Sequence, residues 1–127
     1  MGGSRGAVRL RFRALPVHVR TARLVAVTVA RRAGWSEDVV ESVRQGVSEA
    51  CALALAGAST DEVVITLELE QEGPGLTARV WPVPTAPDDD DENLSRAVLA
   101  GLTDETGIEE RDGHGVLRLS WVGGPVG

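Results

Sequence analysis

The sequence holds a single cysteine, Cys51, no lysine, no tyrosine, one phenylalanine and one methionine. One cysteine excludes an intramolecular disulfide framework and leaves a zinc cluster without its thiolates. Aromatic residues make up 3% of the chain and its net charge is −6. Base stacking and phosphate neutralisation are therefore both poorly supplied, which argues against a nucleic-acid partner. Long hydrophobic runs are missing too. The most apolar stretches fall far short of the roughly 20 residues that span a bilayer, and Arg or Glu interrupts them. The opening MGGSRGAVRL lacks the apolar segment of a signal peptide. No membrane association is expected, and the expected location is the cytoplasm.

What is present fits one domain: 127 residues, enough to bury roughly two thirds of the unfolded surface around one core. The expected domain spans residues 7–122, with flexible tails at 1–6 and 123–127. All thirteen basic residues are Arg, and with the wealth of Ala, Val and Gly this usage accords with a GC-rich bacterial genome of the actinobacterial kind. Charge is unevenly spread. Residues 1–44 hold nine Arg against three acids, whereas residues 45–127 hold four Arg against sixteen acids. Such asymmetry points to a charged partner or to self-association of opposite faces, the plainer reading being solvated surface.

Hydrophobic periodicity sets out the elements. AVRLRFRA at 7–14 alternates, with Val8, Leu10 and Phe12 on one side and Arg9, Arg11 and Arg13 on the other, as a half-buried strand does. Residues 17–33 read as a helix whose buried stripe is Ala22, Val25, Ala26, Val29 and Ala33, and Gly34 ends it. Ser36 caps a second helix whose core stripe is Val40, Val43, Val47, Ala50 or Cys51, and Ala54, running to about Ala56. Residues 62–70 and 76–82 form a hairpin about the QEGPG turn, closed by Pro82. VPTAPDDDDEN reads as a mobile loop, and a third helix starts at Asn93 or Ser95. Strands at 106–111 and from Val116 to Trp121 flank a turn at Asp112-Gly113-His114-Gly115. The order β-α-α-β-β-α-β-β, dominated by hairpins, predicts an α+β two-layer sandwich: a mostly antiparallel sheet with three helices on one face.

The end of the second helix, SEACALALAG at 48–57, places Glu49 and Leu53 one turn apart on a shared face. The element order and the stretch LPVHVRTARLVAVTVARRAGWSEDVVESVRQGVSEAC resemble the histidine-kinase-type (GHKL) ATPase fold and, more narrowly, the RsbW-type anti-sigma factors, serine kinases that hold bacterial sigma factors. In that family the helix-borne Glu activates a nucleophile, and an Asn one turn later supplies an oxygen to Mg²⁺. The resemblance puts Glu49 at the general-base position and Leu53 at the Asn. Leucine has no lone pair, while Mg²⁺ demands hard oxygen ligands. The family's Asp-x-Gly-x-Gly segment after the hairpin reads VWPVPTAP here, where Pro82 and Pro84 remove N–H donors. Its Gly-rich phosphate lid reads PDDDDENLS, and Asp88 to Asp91 would repel a triphosphate by roughly 1 kcal/mol for each close like-charge pair.

The resemblance therefore implies a degenerate kinase that acts by stoichiometric binding to a sigma factor, an anti-anti-sigma factor or both, and, as family members often dimerise, a homodimer. No catalytic residue, cofactor or metal is expected, with ATP and Mg²⁺ disfavoured and Glu49 read as a cap, a remnant or a salt-bridge partner of Arg20 or Arg44. Arg23 matches the family's partner-contacting Arg. Arg20, Val27 and Arg31 share its helical stripe and extend it as a basic strip for an acidic partner. Cys51 reads as a structural thiol and the Asp88–Asp91 run as a solvated lid. His18 and His114 are too far apart in sequence to suggest a metal pair. Trp35, Trp81 and Trp121 read as core or rim, with Trp81 placed to close over the vacated pocket or to mark an interface. The rival readings are an ATP-dependent serine kinase of an anti-anti-sigma factor and a small-ligand sensor using the altered pocket.

Overall fold

A computed structural model of the protein describes residues 7–85 and 90–122, with the backbone alone for 90–95. The order is β1 (Ala7–Arg13), α1 (Val17–Arg32), α2 (Glu37–Gly57), β2 (Val64–Glu72), β3 (Gly75–Val83), α3 (Asp90–Leu102), β4 (Glu105–Arg111) and β5 (His114–Trp121). The five strands form one antiparallel sheet in the order β1-β2-β3-β5-β4, with β1 and β4 at its edges. This is the α+β architecture that the hydrophobic pattern predicts. No helix among the described residues is long and apolar enough to cross a membrane.

Local chemistry explains the boundaries. Gly34, at φ +89°, ends α1. Its N–H donates to Arg31 O at 3.0 Å and that of Trp35 donates to Ala30 O at 3.2 Å, so two of the helix's last carbonyls are satisfied. The Ser36 side chain accepts from Val39 N at 3.3 Å, and Glu37 and Asp38 follow in the positive first turn of α2. In the β4–β5 hairpin Asp112 and Gly113 adopt φ of +53° and +84°, the two-residue turn that matches strand twist. His114 and Gly115 thus belong to β5 and not to the turn. α3 starts at Asp90, earlier than Asn93. The rest of the acidic loop, residues 86–89, and the tails 1–6 and 123–127 lie outside the described residues.

The core lies between α2 and the sheet. α2 buries Val40, Val43, Val47, Ala50, Cys51, Leu53 and Ala54 against Ile65, Leu67 and Leu69 of β2, Leu76, Ala78 and Val80 of β3, and Leu117, Leu119 and Trp121 of β5. Val63 packs on this core, whereas Val64 is exposed. α1 meets the rest through Ala22, Ala26 and Ala30, all fully buried, while Val25, Val29 and Ala33 remain partly open. The buried stripe is thus rotated from the one that hydropathy selects, because small side chains let two helices approach closely.

On the outer face Arg79 of β3 is held among Glu68 (3.5 Å), Glu70 (3.3 Å) and Glu72 (3.7 Å), and Arg9 pairs with Glu68. β3 runs through Pro82 to Val83 instead of stopping there. The ladder shifts register between Val80 and Val83, which accommodates a residue that cannot donate.

That irregularity presses Gly115 against β3: a Cβ at Gly115 would stand 2.6 Å from the Val83 carbonyl oxygen, whereas one at Gly107 on β4 would meet nothing within 4 Å. Gly115→Ala should therefore destabilise by about 2 kcal/mol or more, and Gly107→Ala by less than about 0.5 kcal/mol, as measured by urea midpoints.

Candidate functional site

The face of α2 that carries Glu49 and Leu53 also carries Gly46 and Gly57, since residues 46, 53 and 57 stand at i, i+7 and i+11. Neighbours close against both ends of it. At Gly46 a Cβ would lie 3.2 Å from the Trp121 indole, and that ring is pinned by its Nε1–H donating to Leu102 O at 2.9 Å. At Gly57 a Cβ would lie 2.8 Å from both Cγ and Cδ of Pro84. Pro84 is itself held, its carbonyl accepting from the Arg96 guanidinium at 3.0 Å. Between these closures Leu53 is 4% exposed. Glu49 is half-buried and makes no hydrogen bond or ion pair among the described residues. Arg44 is taken by Glu41, whose carboxyl is held down at about 2 by hydrogen bonds from Arg44 and Gln45. Of the readings of Glu49, the pair with Arg20 or Arg44 is thus not formed.

The basic strip on α1 is mixed. Arg20 is exposed and Arg23 half-buried, and among the described residues neither pairs with a carboxylate. The Arg23 charge reaches towards Cys51 on α2. Val27 packs partly on the core, and Arg31 is engaged by Glu37 at 2.8 Å. The strip therefore runs from an open end at Arg20 to a closed end at the start of α2.

Other residues fall away from this face. Cys51 is fully buried, and burial lifts its thiol to about 12 against the pull of Arg23. Trp35 and Trp121 are core. Trp81 lies on the outer face of the sheet, where Arg9 sits 5.8 Å from its ring centroid, so it does not close over the α2 face. His18 stacks obliquely near Phe12, with ring centroids 6.2 Å apart, whereas His114 lies beside Pro84 and Gly57. No group of metal-ligating side chains occurs among the described residues.

Among the described residues, three cavities bear on the site. One, of about 470 Å³, is on the outer sheet face around Arg79 and Arg118. A second, of about 590 Å³, lies at the C-terminal end of α2. The largest, of about 960 Å³, lies between α1 and the β1–β2 edge and is lined by Val8, Leu24, Val25, Val29 and Leu69 among others. Neither Glu49 nor Leu53 lines any of the three. The pattern reading missed the largest one. Its only sequence signal is the row Thr21, Leu24, Thr28, Arg32 on α1, which is too polar to read as a face.

Residues 12–121 match the family of histidine kinase-like ATPase domains. No curated protein matches the chain. Among solved structures, that of the RsbU and RsbW domains of Rv1364c from Mycobacterium tuberculosis is similar, with a TM-score of 0.75 at 16% identity. The match covers 96% of this chain and 35% of that one, so the chain spans about a third of that protein's length. At this identity the likeness establishes the shared fold.

Two outcomes follow from the packing. Gly57→Ala should cost about 1–2 kcal/mol despite the better helix propensity of Ala, and adding Pro84→Ala should recover about 1 kcal/mol of it, as read from a double-mutant cycle of urea midpoints. Cys51 should resist thiol reagents in the folded protein at pH 8 and react in urea. Because the folded thiol titrates at about 12 and its ordinary value is 9.0, the unfolded chain loses this proton first. Stability should therefore fall as pH rises from 9 towards 12, and Cys51→Ala should flatten that slope.

Proposed function

The chain belongs to the histidine kinase-like ATPase domain family, and from that premise we propose that it is a regulatory protein of the anti-sigma factor type, working by stoichiometric protein binding without ATP binding or phosphate transfer. The observation that carries this reading is Leu53, buried at 4% exposure on the α2 face where the family resemblance calls for a magnesium-binding Asn. A magnesium nucleotide does not fit the residues present. Leu53 offers no lone pair. Pro84 stands against Gly57 with its carbonyl already bonded to Arg96. Replacing Leu53 by Asn alone would bury an amide in a hydrophobic setting, at a cost of about 1–3 kcal/mol, instead of rebuilding a site. Glu49 remains on its helix, but a general base acts only on a substrate held within hydrogen-bond reach.

Protein binding asks for a surface and not for a phosphate cradle. Arg20 and Arg23, with Val27 between them and Arg31, offer an open basic strip beside half-buried aliphatic side chains. The likeness to a protein containing an RsbW domain supports an anti-anti-sigma factor or a sigma factor as the partner. Release would come from competition between partners.

Calorimetric titration with ATP and Mg²⁺ should give no saturable heat at concentrations up to about 1 mM, a range that covers ordinary nucleotide affinities. Incubation with labelled ATP and an anti-anti-sigma factor should transfer no phosphate. Size-exclusion chromatography should show a nucleotide-independent complex with a sigma factor or an anti-anti-sigma factor, and Arg23→Glu should weaken it about tenfold or more. Magnesium-dependent ATP binding at micromolar affinity, with transfer lost in Glu49→Ala, would establish the kinase instead.

A further inference from the structure

β1 is an edge strand: one side is hydrogen-bonded to β2, and its other edge has no strand beside it. The largest cavity lies along this edge, walled by α1 and floored by Val8 and Leu69. Aliphatic surface is unusually open here, with Leu24 62% and Val8 42% exposed. One arginine, Arg32, lines it, and the two elements that border it are basic. β1 and α1 together carry Arg9, Arg11, Arg13, Arg20, Arg23, Arg31 and Arg32 and no acid. Among the described residues, Arg11, Arg20, Arg23 and Arg32 have no ion-pair partner.

We propose that the free edge of β1, together with the groove beside α1, receives an extended acidic segment of a partner protein as a sixth strand, its side chains alternating between aliphatic and carboxylate. β2 shows what such a strand must look like. On the paired side, Leu67 and Leu69 stand opposite Leu10 and Val8 on the helix-facing side of the sheet, while Glu68 stands opposite Arg9 on the outer side. A strand on the free side meets the same alternation, because side chains of one strand point to opposite faces in turn. Its inward residues enter the groove beside Val8 and Leu24, and its outward residues meet Arg9, Arg11 and Arg13. Main-chain bonds to the open edge supply affinity, and the alternation supplies selectivity.

Charge selects among the occupants. A second copy joined through β1 would set arginines opposite arginines on the outer face, a destabilising arrangement for directly opposed residues. The chain's own segment 1–6, MGGSRG, adds Arg5 and no acid. An acidic partner neutralises the surface that both of these would burden.

The inference rests on the reading that the protein works by binding a partner, but its test needs neither nucleotide nor sigma factor, so the two readings fail separately. The probe is a fluorescein-labelled peptide of alternating valine and glutamate, about nine residues long to match a seven-residue strand at about 3.3 Å per residue. Its control carries lysine for glutamate. Fluorescence anisotropy should show saturable binding of the glutamate peptide, at least about tenfold weaker binding of the lysine peptide, and weakening as salt rises. Leu24→Glu and Arg11→Glu should each reduce binding about tenfold. Circular dichroism would confirm that both variants fold, as expected for exposed positions. Equal affinity for both peptides, no binding at about millimolar concentration, or binding untouched by Leu24→Glu would overturn the proposal. So would a dimer in sedimentation that Leu24→Glu dissolves, since a second copy would then hold the groove.

Discussion

The seating of α2 on the sheet constrains the rest of the molecule. One face of that helix is lined by Gly46, Ala50, Leu53, Ala54 and Gly57, and its approach to the sheet is as close as those small residues permit. Trp121 meets it at Gly46 and Pro84 at Gly57. These contacts fix where β5 ends and where β3 exits. The opposite flank of α2 receives α1 through the alanine row at 22, 26 and 30. With α1 drawn towards α2 by that row, its other flank is left standing off β1, which leaves the groove at the sheet edge. A packing choice on one side of α2 closes its face at Gly46 and Gly57, and one on the other side opens a surface.

Much of this is legible in the residues, because strong signals agree there. Ser36 and Gly34 bracket the α1–α2 junction by capping chemistry, and the valines of α2 repeat with a clear helical period. Alternation in RLRF and TLELE assigns both strands and their faces. The departures arise where a local signal is overridden. Val25 and Val29 are more hydrophobic than Ala30, yet Ala30 is the buried one, since close helix packing selects for size over hydropathy. Pro82 looks like a strand terminus, but an irregular ladder absorbs its missing donor. Asp90 and Asp91 look like loop because of their composition, although the helix begins there. Trp81 carries no marker of face by itself; only the β3 register turns it outward to Arg9. The contact of Pro84 with Gly57 joins residues 27 apart in the chain and could not be read from either neighbourhood.

The charge asymmetry has a structural resolution. Acids of the later part of the chain return to the arginines of the earlier part: Glu68 to Arg9, and Asp61 and Glu62 to Arg13. Within the basic part, Glu37 takes Arg31 and Glu41 takes Arg44. Apart from Glu68 these groups are solvent-exposed, and exposed pairs individually contribute little. Their interest lies in what they leave over. Four of the arginines without an ion-pair partner among the described residues, Arg11, Arg20, Arg23 and Arg32, lie on β1 and α1, and Arg96 and Arg111 lie elsewhere. Arg32 lines the groove itself, Arg11 stands on the outer face of its edge strand, and Arg23 turns towards α2.

The preference for a binding role over a catalytic one follows from what each requires. Catalysis by Glu49 needs a phosphoryl group fixed within about 3 Å of the acceptor, together with a cation or donors to absorb its charge. The fold holds the carboxylate in place on a rigid helix, but the neighbouring turn is buried leucine and the next is closed by proline. A magnesium nucleotide against this face would require exchanging Leu53 and moving Pro84 together. Binding requires none of these. It uses side chains that are already exposed, charged and unpaired, and it exploits the same rigidity that α2 imposes on the sheet edge. On the proposed binding role the packing of α2 serves twice, because a core packed tightly around that helix also presents its edge strand in a fixed geometry.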